Sequence, residues 1–230
     1  MGDIKASNLP LISCIMATKD RQEFVKVAIS CFRAQTYPNL ELVIVDHGSD
    51  ETDEVVRFIG DHRIRYERIA NPGLLTGEIK NHALKRALGE YVAVWDDDDW
   101  HHPARIMLQY EMLRAAGADG CMLKRLTLAW PSRDWYAYSY RWFWEGTLLS
   151  RKLGMSLFGG LQRGEDTAQL HSTLNTGKKV VYLDLPDLYI YRIHGRNVWD
   201  SGHFENLFGP GSSALSEEGR LRVASTLERQ

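Results

Sequence analysis

The stretch Tyr91-Val92-Ala93-Val94-Trp95-Asp96-Asp97-Asp98-Asp99 runs five apolar residues straight into four consecutive carboxylates. A short apolar run that ends abruptly in polar residues reads as a buried strand. Four carboxylates at its end repel one another, so solvent, basic partners or a bound cation must offset the charge. Oxygen ligands suit a hard ion such as Mg2+ or Mn2+, which keeps positions open for substrate phosphates. A solvated acidic turn is the plainer alternative. In open α/β sheets ligands sit beyond the carboxyl ends of the strands, and this acidic run lies at such an end.

Upstream, short apolar runs alternate with amphipathic stretches, the pattern of a parallel sheet covered by helices. Leu11 to Ala17 reads as the first strand. Phe24, Val27, Ala28, Cys31 and Phe32 then recur at helical spacing between Asp20, a candidate cap, and Gln35. Strands are expected at Glu41 to Val45 and Ile64 to Arg68, with a short helix at Glu51 to Ile59 between them and another from Thr76 to Leu88 that stops at Gly89. Thr18 and Asp46 end two of these strands on the same edge as the acidic run.

Downstream of Pro103 a helix is expected to about Ala116. Between Trp130 and Trp144, eight residues of fifteen are aromatic, and Tyr136, Tyr138, Tyr140, Trp142 and Trp144 alternate as on one face of an extended strand. Such a stripe serves sheet packing or offers stacking faces to a sugar. A helix near Asp166 to Asn175 and strands at Val180 to Leu183 and Leu188 to Ile193 follow. The expected organisation is one domain over residues 1–209, with a nucleotide-sugar half at about 10–100, an acceptor half at about 101–200, and a loosely attached tail or helix at 210–230.

The 28 basic and 30 acidic side chains nearly cancel, so no strong overall field draws the chain to nucleic acid or anionic lipid, although a local basic groove stays open. No run of about 18 apolar residues occurs and the start is too polar for a signal-peptide core, so a cytoplasmic protein without a transmembrane segment is expected. Gly2 lacks the Ser or Thr that myristoylation wants, since Ala6 stands there. Cys14, Cys31 and Cys121 are odd in number and set in apolar surroundings, which reads as three buried small hydrophobes.

Several short motifs follow in order. Ile15 to Arg21 (I-M-A-T-K-D-R), Ala34 to Asn39 (A-Q-T-Y-P-N) and Val45 to Asp50 (V-D-H-G-S-D) precede Asn71-Pro72-Gly73, Lys80-Asn81, Gly89-Glu90-Tyr91 and the acidic run. Gly164-Glu165-Asp166-Thr167 and Tyr191-Arg192-Ile193-His194 follow it. This series resembles the family 2 glycosyltransferases over roughly residues 10 to 200. The resemblance implies the GT-A fold, a mostly parallel Rossmann-like α/β sheet flanked by helices, and an inverting, metal-dependent transfer of sugar from a nucleoside diphosphate to an acceptor hydroxyl.

The resemblance also implies roles. Thr18, Arg21, Asp46, Lys80, Asp96 and Asp97 would bind the nucleotide sugar, with Thr18 and Asp46 at the base and Lys80 near the diphosphate. Asp98 and His194 would hold Mn2+ or Mg2+, although counting alone does not decide which of Asp96 to Asp99 ligates. Asp166 would be the general base, with Glu165 beside it, and Trp100, Trp144 and Glu145 would face a carbohydrate-type acceptor. His47 stands where relatives carry an acid and Lys80 where Arg is common. A UDP-sugar is favoured, with thymidine and guanosine donors open.

Other readings leave their own marks. A transferase acting on a modified nucleobase or DNA would use Arg133, Arg141, Arg151, Lys152 and Arg163 among the aromatics, but near-neutral charge makes nucleic acid the minority partner. A nucleotidyltransferase wants a glycine-rich basic loop after the first strand, which Thr18-Lys19-Asp20-Arg21 lacks. A non-catalytic nucleotide-sugar-binding relative is signalled by loss of Asp98 or Asp166, and both stand. No dinucleotide glycine fingerprint follows any expected strand.

Overall fold

The computed structural model describes residues 9–71 and 73–229. Pro72 and the N-terminal positions Gly2 and Ala6, on which readings were made above, lie outside them.

The apolar runs become strands, in chain order β1 (Ile12–Thr18), β2 (Leu40–Asp46), β3 (Ile64–Arg68) and β4 (Tyr91–Val94). Between them lie α1 (Gln22–Arg33), α2 (Thr52–Ile59) and α3 (Thr76–Arg86). β1 pairs in parallel with both β2 and β4, and β2 with β3. β1 and β2 are buried almost throughout because helices cover both faces, which is why they read as unbroken apolar runs.

The carboxylate run turns into β5 (Trp100–His101), followed by α4 (Arg105–Ala115) and β6 (Gly120–Leu123). A hairpin of β7 (Thr127–Trp130) and β8 (Trp135–Tyr138) precedes β9 (Leu149–Arg151), α5 (Glu165–Leu174), β10 (Val180–Leu183) and β11 (Tyr189–Arg192). The chain closes with α6 (Ser201–Leu207), β12 (Ser213–Ala214) and α7 (Glu217–Glu228). Among the described residues the first sheet has seven strands in the order β10-β6-β9-β4-β1-β2-β3, and β9 runs antiparallel to both neighbours. A second sheet, β12-β8-β7-β11-β5, packs beside it.

Several expectations need correction. Asp20 does not cap α1: its φ is 51° and its Oδ1 accepts from the backbone N–H of Ser49 (2.6 Å) and Asp50 (3.2 Å). The first turn of α1 is instead served by Asp50, which accepts from Gln22 N–H at 2.9 Å. The aromatic stripe is not one strand. β8 ends at Tyr138, and Tyr140, Trp142 and Trp144 continue in irregular chain towards the site. The segment beyond residue 210 is tied to the body, since β12 pairs with β8 and Val223 of α7 is buried with Ala129 and Ile190.

The cysteines are all buried, and burial pushes the thiols of Cys14 and Cys121 up to about 12. Among the described residues no helix is long and apolar enough to cross a membrane.

Candidate active site

The carboxyl ends of β1 and β4 deliver Thr18, Arg21 and the run Asp96 to Asp99 to one edge, opposite the start of α5 and the end of β11. Between them opens a cleft of about 330 Å³, lined on one side by the four carboxylates and on the other by Glu165, Asp166, Trp144 and Glu145. Opening a sheet edge at this point is the usual way an α/β fold makes a ligand crevice.

The four carboxylates have four different environments. Asp97 is buried, accepting from Thr18 Oγ1 at 2.6 Å and Arg21 Nη1 at 3.0 Å. Burial first, then the charge of Asp98, pushes its pKa up to about 7 against the pull of Arg21. Asp99 is tied inward by Tyr189 Oη (2.5 Å) and Arg192 N–H (2.8 Å), and burial raises its pKa well above the usual range. Burial pushes Asp98 in the same direction, but the hydrogen bond from His194 and the charge of Arg21 outweigh it and hold this carboxyl low. Asp98 Oδ2 lies 3.1 Å from His194 Nε2 and 2.9 Å from Arg21 Nη1. Asp96 faces the cleft, 3.4 Å from Lys80 Nζ.

Among the described residues no group of three or more His, Cys, Asp or Glu is arranged around a common metal position. Asp98 and His194 nonetheless lie side by side, a carboxylate of the kind Mn2+ or Mg2+ takes together with phosphate oxygens and water, and an imidazole that fits Mn2+ better than Mg2+.

Lys80 lies deeper than an exposed helical lysine and away from a purely phosphate-facing position. Its side chain is 5% exposed, with Nζ 2.9 Å from both oxygens of Asp166, 3.0 Å from Glu165 and 3.4 Å from Asp96. Burial favours its neutral form, but these carboxylates outweigh that and raise its pKa. Asp166 in turn is pushed up to about 7, by burial first and then by Glu165 and Asp96, with Lys80 opposing. A carboxylate poised near neutrality in a cleft is suited to proton transfer.

α3 presents Lys80 to α5 because of a close backbone approach. A Cβ on Gly77 would sit 1.8 Å from the carbonyl oxygen of Gly159, so only glycine lets the 159–164 loop seat against the helix.

The other sequence candidates divide. Trp144 lines the cleft beside Tyr140, ring centroids 5.6 Å apart, and Glu145 accepts from Thr167 Oγ1 at 3.1 Å. Asp46 does not reach the cleft: it is fully buried, with its oxygens taken by Gly48 N–H, Tyr66 Oη and Arg68. Trp100 is the plainest correction. Side chains alternate along β5, so His101 turns inward to stack on Trp95 at 3.8 Å, and Trp100 faces a separate cavity with His102, Ile190 and Val223. Tyr189 and Tyr191, on one face of β11, line the cleft and were missed, as were Asn197 and Trp199, while Arg163, read above only as a contact for a nucleic-acid acceptor, lines it too. The spacing Tyr-Ile-Tyr carried that signal.

With this geometry in place, the comparison with known sequences is decisive: the family model described as Glycosyl transferase family 2 matches residues 13–162. The chain belongs to glycosyl transferase family 2. The family match covers the acidic run and stops three residues before Glu165, so the family model itself does not reach Asp166 or His194.

The chain is similar to the putative glycosyltransferase EpsH of Bacillus subtilis, with 31% identity over 113 residues, 47% of this chain and 31% of that protein. It is also similar to the putative colanic acid biosynthesis glycosyl transferase WcaA of Escherichia coli, with 36% identity over 103 residues, 43% of this chain and 36% of that one. The chain therefore spans about a third of the length of these two relatives.

Among solved structures, S. aureus TarS in complex with UDP-GlcNAc matches with a TM-score of 0.69 at 17% identity, over 81% of this chain and 59% of that one. The mannosyltransferase PcManGT from Pyrobaculum calidifontis, in complex with GDP-Man and Mn2+, matches with a TM-score of 0.65 at 17% identity, over 85% and 61%. The fold is the GT-A fold of family 2.

Proposed function

We propose that this chain is an inverting, metal-dependent glycosyltransferase that moves a sugar from a nucleoside-diphosphate sugar to an acceptor hydroxyl. The observation that carries this reading is the convergence, in one cleft of a family 2 fold, of an acidic run bearing the Asp98–His194 pair and a buried Lys80–Asp166 pair.

Asp98 and His194 are the residues that would hold Mn2+ or Mg2+, which when bound supplies positive charge to the departing diphosphate. Arg21, held beside them, adds a second cation on the donor side, and Asp96 and Asp97 shape the floor against which the nucleotide sugar lies. Asp166 takes the proton from the acceptor hydroxyl as that oxygen bonds to the anomeric carbon, while the bond from that carbon to the phosphate oxygen breaks and the nucleoside diphosphate leaves. Attack from the face opposite the leaving group inverts the anomeric centre. Lys80 holds Asp166 in place and keeps its pKa near neutrality. Trp144 and Tyr140 offer an aromatic face to a carbohydrate-type acceptor.

UDP-sugars head the donor list and GDP-sugars follow, the nucleotide sugars in the complexes of TarS and PcManGT, with thymidine-linked sugars as a further candidate. The direct test is release of nucleoside diphosphate from a panel of nucleotide sugars, with Mn2+ or with a chelator. Turnover of one donor that stops with the chelator and in Asp98→Ala supports the reading. No binding or turnover of any donor with metal present refutes it in favour of another role for the cleft.

A further inference from the structure

Five leucines stand exposed along one flank of the molecule. Leu75, Leu88, Leu153, Leu157 and Leu161 are 37, 69, 81, 56 and 46% exposed. Single exposed leucines are ordinary, but these belong to one surface. The loop 152–161 is laced along α3 from end to end. At the far end Lys152 N–H donates to Glu90 O at 2.8 Å and its Nζ reaches the carbonyl of Ala87. Midway, the side chain of Asn81 donates to Phe158 O at 3.0 Å and accepts from Phe158 N–H at 2.8 Å. At the near end Gly77 N–H donates to Leu161 O at 3.1 Å. The leucines thus follow a helix roughly 16 Å long, and the near end of the stripe is the rim of the cleft, where Thr76, Gln162 and Arg163 line the opening.

The charge around the stripe is mainly basic, the acids that border it being Glu78, whose carboxylate accepts from Leu75 N–H, and Glu90 at the far end. No Asp or Glu occurs between Arg151 and Arg163, nor between Thr167 and Leu183. Arg151 and Lys178 are offset by Glu90 and Asp119. Lys152 and Lys179 instead donate to backbone carbonyls, of Ala87 and Ala116, and Arg163 lies over the Trp199 ring at 5.2 Å. None of these three is ion-paired among the described residues, so their charge is available to a partner.

We infer that this flank docks on an anionic phospholipid surface, with the leucines at the headgroup and acyl boundary and Lys152, Arg163 and Lys179 on lipid phosphates. A loop bearing exposed leucines beside cations without an ion-pair partner matches a bilayer, which accepts both kinds of group at once. A protein-binding patch would instead have a core depleted of lysine. Docked this way, the molecule turns the mouth of the cleft towards the membrane surface. The inference does not depend on which donor the cleft takes.

The test is flotation of the protein with vesicles of phosphatidylcholine containing roughly one third phosphatidylglycerol, against vesicles of phosphatidylcholine alone. The expected result is selective binding to the anionic vesicles that weakens with salt. Partitioning should fall by about tenfold or more in the double variant L153S/L157S and by about fivefold in K152Q. Leu153 and Leu157 are exposed, so the thermal midpoint of L153S/L157S should match the wild type, which separates lost docking from lost folding; K152Q also loses the bond to the carbonyl of Ala87 and is compared well below its own midpoint. Equal binding to neutral and anionic vesicles, or undiminished binding by the folded L153S/L157S variant, would overturn the inference. So would a wild-type dimer in solution that the double variant abolishes, since a second copy would then be the occupant.

Discussion

Replacing Lys80 with Met removes the one cation that, among the described residues, touches Asp96, Glu165 and Asp166, and keeps most of the volume. Lys80 is 5% exposed at its side chain and within 3.4 Å of all three carboxylates. A unit charge about 3 Å away at an effective dielectric constant near 20 is worth roughly 5 kcal/mol, or several pKa units. Asp166, already raised to about 7, therefore stays protonated well above pH 8 in the variant. Breaking such a buried pair is expected to cost about 3–5 kcal/mol of stability in alkaline buffer.

The pH dependence has a definite sign. A carboxyl whose folded pKa is raised stabilises the fold least once pH has risen through that pKa, and the variant's Asp166 has the higher pKa. Between about pH 7 and 8.5 the variant's native state carries a proton that the wild type has lost. The deficit should then grow by roughly 1.4 kcal/mol per pH unit, about 2 kcal/mol over this interval. Urea unfolding followed by tryptophan fluorescence at both pH values measures it. A deficit that is the same at the two pH values, or absent, would refute the electrostatic role given to Lys80.

Two further outcomes follow from the same geometry. If Asp166 acts as a base with its pKa near 7, kcat/KM should rise as pH passes through about 7 and level off above it, and in Lys80→Met the rising limb should move to higher pH; a flat profile from pH 6 to 8.5 contradicts this. Gly77→Ala puts a methyl 1.8 Å from Gly159 O, so although Ala is the better helix former, stability should drop by about 1–3 kcal/mol and the 159–164 loop should become easier to cleave by limited proteolysis.

The sequence placed β1 to β4, β10 and β11 almost to the residue: β1, β2 and β4 are buried runs between polar punctuation, as a parallel sheet covered on both faces writes itself, while the half-buried β3 and β10 at the sheet edges showed as short β-branched or aromatic runs. β6 and β9 were not legible. β9 is three residues long and exists because it fits antiparallel between β4 and β6, a non-local arrangement that no local pattern announces. The acidic run was visible as chemistry, but the inequality of its members was not. Asp97 and Asp99 turn inward to Thr18 and Tyr189, and only tertiary contacts separate them from Asp98.

Trp100 misled because adjacency in sequence is opposition in space along a strand. Lys80 was legible as a motif position, yet its burial among three carboxylates depends on the approach of α5 permitted by Gly77. α7 looked detachable from its polar composition, although buried Gly219 and Val223, with Leu227 packed beside Val223, dock it on the second sheet.

The account stands most directly on Asp166. Donor binding and nucleoside diphosphate release should be measured side by side for the wild type and Asp166→Asn, with metal and acceptor present. An Asn keeps the shape but cannot take the proton, so donor affinity should stay within about threefold of wild type while turnover falls by at least about 10²- to 10⁴-fold. Turnover within a few-fold of wild type in a variant that still binds donor would contradict the account, because the proton would then be leaving by another route.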